Sequence, residues 1–156
     1  MITVELDDLE LPVSTITLRL RHISASYIRA TVPDPLRYTA DILARMSERM
    51  YIYQDGQEII YANPQNIFFA RGEKSNILNI AGTRFITHSS PQTVNLSGIS
   101  NIKKDGLGRF SVDCVFDNSV KPNDTAVLPD ERGQFTIDFI SVTITKDQAV
   151  MNVQGE

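Results

Sequence analysis

Apolar and polar residues alternate with a period of two along most of the chain, which is the pattern of strands with one buried face. From Ser14 to Ile23, apolar residues alternate with threonine and arginine, and Ser26 to Val32 repeats the pattern after a short connection. These segments predict two strands joined in a hairpin. Met50 to Gln54 and Gln57 to Ala62 flank an Asp-Gly pair, a strong turn signal, and predict a second hairpin.

One window departs from this alternation and predicts a helix. Pro33 and Pro35 stop the preceding strand because proline lacks the backbone N–H that a ladder needs. Between Leu36 and about Ser47, apolar residues recur at helical spacing, and we expect them to pack on a sheet. The residues of this stripe are Leu36, Tyr38, Ile42, Leu43 and Met46. Asp41 and Arg45 would lie one turn apart and pair weakly.

The remaining segments continue the strand pattern. They are Ile67 to Arg71, Asn76 to Ala81, Thr93 to Lys103, Arg109 to Phe116, Gln134 to Thr145 and Ala149 to Val153. We expect Asn63-Pro64 to end a strand and Asn118 to Gln134 to form a loop. The apolar parity changes near Phe139-Ile140, which predicts a bulge or sharp bend there. The fold class is therefore mainly β, an antiparallel barrel-like or sandwich fold with one short helix.

The length of 156 residues fits a single β-rich domain, 1–156. A polar stretch at 88–92 is where two sub-lobes of that domain would meet. Cys114 shares its strand face with Phe110, Val112 and Phe116, so we predict a buried core residue rather than a reactive thiol. It is the only cysteine, which excludes an intramolecular disulfide and favours a reducing cytoplasm.

Charge bears on the class of partner. Fifteen basic against 19 acidic residues give a net charge of −4, which disfavours nucleic-acid binding through a dominant positive field. Arg19, Arg21 and Arg29, with Tyr27 between them, would share one face of the first hairpin. We predict that this face is solvated or contacts another subunit. An oligonucleotide-binding barrel could present the same face.

No pattern of catalytic, cofactor-binding or metal-ligating residues stands out, so we expect no enzyme and no cofactor. His22 and His88 lie apart from each other and from the cysteine. The acidic group Asp7, Asp8 and Glu10 is expected to be a solvated edge that resists aggregation. Its charges also argue against a signal peptide, and no apolar run is long enough to span a membrane.

Two stretches of the sequence resemble phage and prophage tail proteins. Ser24 to Asp34, followed by Tyr38 to Ile42 and Ala44-Arg45, is similar to the N-terminal strand-and-helix pattern of small tail-associated structural proteins. The C-terminal segments Lys121 to Val127, Phe135 to Val142 and Val150 to Val153 resemble the closing Pro-Gly-Asp-Thr turn and terminal hairpin of those proteins. Asn123 stands where that pattern has glycine, and asparagine tolerates a left-handed backbone well.

This resemblance covers about half the chain and implies a non-enzymatic virion component related to the barrel domains of tail-tube and baseplate-hub proteins. It implies a homo-oligomer or ring in the assembled particle, other tail or baseplate proteins as partners, and a place in the virion tail after synthesis in the host cytoplasm. The alternative is a β-barrel module that recognises an oligosaccharide or single-stranded nucleic acid. Large ring-shaped particles would favour assembly, and retention on a glycan or nucleic-acid array would favour binding.

Overall fold

Strands cover most of the computed structural model, and buried and exposed side chains alternate along them. The structure describes residues 1–33, 35–71, 76–86 and 90–156. Within these ranges it has one helix and 13 strands, which are β1 Ile2–Leu6, β2 Leu9–Pro12, β3 Thr15–Arg21, β4 Ser26–Pro33, α1 Pro35–Ala44, β5 Met50–Gln54, β6 Gln57–Arg71, β7 Asn76–Arg84, β8 Thr93–Asn95, β9 Asn101–Lys104, β10 Phe110–Val115, β11 Thr125–Val127, β12 Gln134–Thr145 and β13 Ala149–Gly155. The predicted fold class is confirmed, and the pairings are consistent with both predicted arrangements, barrel-like and sandwich.

The chain divides into two compact units. Unit 1 comprises Met1–Thr17, Tyr27–Arg84 and Ile144–Gln148, and unit 2 comprises Leu18–Ser26, Phe85–Thr143 and Ala149–Glu156. Part of the predicted meeting point at 88–92, including His88, lies outside the described residues. The sub-lobe boundary therefore stays a prediction.

In unit 1 the strand order is β2-β1-β5-β6-β7-β4. The sequence explains why β1 and β2 form. Ile2, Val4 and Leu6 point to one side of β1 and are buried, whereas the residues between them are not. A two-residue turn with Asp7 at φ 53° then returns the chain antiparallel into β2. This hairpin was missed in the sequence, where the first predicted strand is Ser14 to Ile23, and the acidic turn belongs to it.

The Asp55-Gly56 hairpin is confirmed, with φ of 52° and 79° at the two turn residues. The expectation that Asn63-Pro64 ends a strand was wrong, because β6 runs on to Arg71. Its pairing with β7 instead shifts register between Pro64 and Asn66. Such a bulge accommodates a residue that cannot donate a ladder hydrogen bond, so the strand bends there and continues.

The predicted helix is confirmed, although α1 ends at Ala44 rather than near Ser47. Ile42 is fully buried, and α1 packs against β7 within unit 1. Leu43 was wrongly assigned to the buried stripe: it is 55% exposed, because it points about 100° around the helix from its neighbour Ile42. Tyr38 and Met46 are half-buried, and the side chain of Leu36 lies outside the described residues.

Arg45 pairs most closely with Asp8, whereas the predicted partner Asp41 adds only a weaker charge attraction. Arg45 follows the last helical residue, and its Nη2 and Nε lie 2.7 Å and 2.8 Å from Oδ1 of Asp8 in the β1–β2 turn. Its Nη1 donates a hydrogen bond to the backbone oxygen of Asp41 at 3.1 Å. The Arg45 guanidinium lowers the pKa of Asp8 through this contact. The acidic turn is exposed as expected, but one of its carboxylates ties the hairpin to the end of α1.

In unit 2 the strand order is β12-β13-β10-β9, and β11 pairs with β12 on one side and in parallel with β8 on the other. The predicted face of β10 is confirmed: Phe110, Val112 and Cys114 are all buried. Burial raises the pKa of the Cys114 thiol to about 11. Phe116 lies beyond the end of β10 and is half-buried.

Two strand predictions for unit 2 need correction. The single strand expected from Thr93 to Lys103 is two short strands, β8 and β9, separated at Gly98, whose φ is 59°. The loop expected from Asn118 to Gln134 contains the three-residue strand β11. Strands of three or four residues span too few positions for a period of two to be recognised.

The change of apolar parity in β12 is confirmed. Phe135 and Ile137 are buried on one parity, and Ile140 and Val142 are buried on the other, with Phe139 half-buried between them. The bulge or bend that we expect at this point stays a prediction.

Candidate functional site

The turn that carries the resemblance to tail proteins is built as its sequence predicts. Asn123 has a φ of 81°, the left-handed conformation that glycine adopts readily and asparagine tolerates. Its backbone N–H donates to the oxygen of Ile137 at 2.7 Å, and the N–H of Ile137 donates to the oxygen of Asp124 at 2.8 Å. The turn is therefore hydrogen-bonded directly to β12.

Asp124 fixes the other side of this turn. Its side chain is only 1% exposed. Oδ1 accepts the backbone N–H of Gln92 at 2.8 Å, and Oδ2 accepts that of Lys121 at 2.8 Å. Hydrogen bonds to a carboxylate are stronger than those between neutral groups. The carboxylate therefore holds the start of β8 and the residues before β11 in one arrangement.

A groove of about 610 Å³ lies beside this turn in unit 2, and we call it the Arg21 groove. Its lining includes Arg21 to Ser24, Arg109, Asn123, Ile137 to Phe139 and Gln154. The Arg21 guanidinium lies 5.5 Å from the centre of the Phe139 ring, and Arg109 pairs with Asp138 at 3.3 Å. Ile23 at the groove is 91% exposed. The groove combines cationic, aromatic and apolar groups, which suits a protein segment.

The four residues of the predicted contact face fall in both units. Arg19 and Arg21 belong to unit 2 and are exposed, and Arg21 lines the groove. Tyr27 and Arg29 belong to unit 1 and are half-buried. The Nε of Arg29 is buried and has no hydrogen-bond partner within the described chain. All four lie at the polar positions of their strands, as predicted, and contact with a subunit stays a prediction.

A second cluster, in unit 1, was missed in the sequence. Tyr51 and Tyr61 are directly paired across β5 and β6, with ring centres 5.8 Å apart. The guanidiniums of Arg84 and Arg49 lie 3.7 Å and 4.8 Å from the centre of the Tyr61 ring. We call these four residues the Tyr61 surface. The available signal was that Tyr51 and Tyr61 alternate with buried neighbours, which places both on the solvent side of their strands.

Acidic side chains lie next to the Tyr61 surface. A pocket of about 550 Å³ is lined by Glu5, Asp7 and Glu48 together with Arg49 and Tyr51. In the same sheet, partial burial raises the pKa of Tyr53, and the nearby Glu5 carboxylate adds to the effect. This part of unit 1 therefore presents both signs of charge.

Among the described residues, no group of three or more histidine, cysteine, aspartate or glutamate side chains is arranged to hold a metal ion. No helix in the same part of the chain is long and apolar enough to cross a bilayer.

Solved structures of tail proteins are similar to this chain. The tail protein from Neisseria meningitidis MC58 superposes with a TM-score of 0.65 at 8% identity, over 99% of this chain and 95% of that one. The 43 kDa tail protein of prophage MuSo2 from Shewanella oneidensis superposes with a TM-score of 0.66 at 7% identity, over 99% of this chain and 97% of that one. An E. coli component of the type VI secretion system, described as similar in structure to the T4 bacteriophage tail proteins gp27 and gp5, gives 0.62 at 5% identity, over 97% and 75%.

At these identities the likeness shows a shared fold. The fold expected from the resemblance to phage and prophage tail proteins is therefore confirmed. Comparisons with protein-family models and with curated protein sequences found no match.

Proposed function

We propose that this chain, which has the fold of phage tail proteins, is a non-enzymatic structural component of a phage or prophage tail. The observation that carries the proposal is the similarity to two tail proteins over 99% of the chain. The proposal is also supported by the similarity to a component of the type VI secretion system, because that component is itself similar in structure to T4 tail proteins. The place of action is the virion tail, after synthesis in the bacterial cytoplasm.

Its partners are other tail or baseplate proteins and further copies of itself in a homo-oligomer or ring. A head-to-tail contact whose rotation closes gives a ring, which suits a coaxial tail. We place one contact in unit 2, at Arg19 and Arg21 of the predicted contact face and in the groove that Arg21 lines. For Tyr27 and Arg29 of unit 1, contact with a subunit stays a prediction. Support comes from the composition of the groove, in which two arginines and the Phe139 ring lie beside the exposed Ile23, since arginine and aromatic residues are enriched at protein interfaces.

The test is a deletion of the coding sequence in a strain that produces the particle, followed by complementation. We expect incomplete tails and lost infectivity on deletion, and recovery with the wild-type protein. The variant R19E/R21E tests the contact face, and K103E/K146E is the matched control because it reverses two exposed basic side chains elsewhere.

We expect R19E/R21E to be poorly incorporated and K103E/K146E to be incorporated normally. Equal incorporation of the two variants would contradict the proposed contact face but not the structural role. Complete, infectious tails without the protein would contradict the structural role and favour the ligand-binding alternative.

A further inference from the structure

The Tyr61 surface of unit 1 carries two cationic groups, the guanidiniums of Arg49 and Arg84. Neither Arg49 nor Arg84 forms an ion pair within the described residues, although both guanidiniums lie over the Tyr61 ring. Stacking on an aromatic ring holds a guanidinium in place while its in-plane N–H donors stay available for carboxylates. The two guanidiniums therefore offer hydrogen-bond donors that a carboxylate can accept from.

The acidic residues beside it indicate what kind of anion fits. Glu5, Asp7 and Glu48 line the pocket that Arg49 shares, so a run of phosphates would be repelled there. A short protein segment that carries carboxylates next to a basic group satisfies both parts of the surface. Charge complementarity therefore favours a peptide segment of mixed charge over a nucleic acid.

The chain itself contains such a segment in the loop between β11 and β12. Asp130, Glu131 and Arg132 are consecutive and exposed, and none of them forms an ion pair among the described residues. The loop is closed by the N–H of Leu128, which donates to the oxygen of Gly133 at 2.9 Å. It projects two carboxylates and one guanidinium, the complement of the charges around Tyr61.

The backbone of this loop is unusual in a way that favours a binding role. Asp130 and Glu131 have φ of 56° and 57°, two successive left-handed residues that are not glycine. Such conformations cost free energy and are concentrated at functional positions. A closed loop of defined shape loses little conformational freedom on binding, which favours association.

We infer that the loop Asp130 to Arg132 of one copy binds the Tyr61 surface of a second copy. The carboxylates of Asp130 and Glu131 pair with Arg49 and Arg84, and Arg132 faces the acidic pocket. The contact is heterologous, since two different surfaces meet, and it repeats from copy to copy. The inference rests on the proposed self-assembly and names one of its contacts.

The test uses charge reversal in the full chain. R49E/R84E reverses the charge of the Tyr61 surface, and D130R/E131R reverses the charge of the two acidic residues in the loop. Sedimentation up to about 1 mM detects even a weak, millimolar self-association. We expect each variant alone to associate at least about 100-fold more weakly than wild type, because like charges then face each other.

In an equimolar mixture, every contact between unlike variants again joins opposite charges, so open chains of alternating variants can form and association should return to within about tenfold of wild type. Recovery in the mixture also shows that both variants are folded. K103E/K146E, with the same change of net charge as R49E/R84E, should associate like wild type. Raising the salt concentration should weaken the wild-type contact.

A wild-type protein that stays monomeric over this range would contradict the inference, as would reversals without effect or a mixture that does not recover. Binding of an oligonucleotide or glycan that R49E/R84E abolishes would assign the surface to the ligand-binding alternative. If the protein is found in tails but the reversals change nothing, this contact is wrong and the structural role stands.

Discussion

Replacing Asp124 by alanine tests whether its buried carboxylate holds in place the turn at Asn123, which resembles a turn of tail proteins. The variant loses the hydrogen bonds from the backbone N–H groups of Gln92 and Lys121. A hydrogen bond to a charged group contributes about 1.5–3 kcal/mol. Because Gln92 is an exposed residue, we expect water to replace the carboxylate at its N–H, which puts that bond at the lower end of this range.

We therefore expect D124A to lower the free energy of unfolding by about 3 kcal/mol, which for a chain of this length corresponds to roughly 10 °C in Tm. Urea unfolding followed by circular dichroism measures the loss. D138A is the matched control, since Asp138 is 45% exposed and its ion pair with Arg109 contributes at most about 1 kcal/mol. A loss for D124A below about 0.5 kcal/mol, or equal to that of D138A, would refute the reasoning.

Three further predictions concern unit 2. A Cβ at Gly155 would lie 1.8 Å from the backbone oxygen of Thr136, so G155A should lower the free energy of unfolding by about 1–3 kcal/mol, and unchanged urea unfolding would contradict that contact. Burial and the raised pKa of Cys114 predict slow reaction with a thiol reagent at pH 8 and fast reaction in urea, whereas equal rates would contradict its burial. Hydrogen bonds from two asparagine amides lower the pKa of Asp113 in the folded protein. The stabilisation that the Asp113 carboxylate contributes is therefore complete above the ordinary pKa of aspartate and is lost as the pH falls through the lowered pKa of the folded protein. Urea unfolding should therefore show wild type more stable than D113N at pH 6, with the difference shrinking below about pH 4, and a difference independent of pH would contradict the shift.

The longer strands and the helix could be predicted because their alternation extends over enough residues to define a period. The β1–β2 hairpin was also visible in Ile2, Val4 and Leu6, but the acidic residues around the turn were interpreted only as a solvated edge that resists aggregation. Pro64 was interpreted as a strand end, because a bulge and a strand end carry the same sequence signal. The distinction depends on the register with β7, which is set elsewhere in the chain.

The interaction sites depend on contacts between distant parts of the sequence. The left-handed conformation of Asn123 is a local property and could be predicted from the turn. The burial of Asp124 depends on the backbone of Gln92, 32 residues away, and no local pattern encodes it. Arg49 and Arg84 likewise meet Tyr61 only because β5, β6 and β7 are neighbours in unit 1.

The most direct test of the structural role is quantitative mass spectrometry of tail particles purified from a strain that makes them. If this chain is a tail component, its peptides should co-purify with the other tail proteins at a constant ratio through successive purification steps. The ratio should be the same in different preparations, as expected for a subunit with a fixed copy number. Absence of the chain from intact, infectious particles would contradict the account.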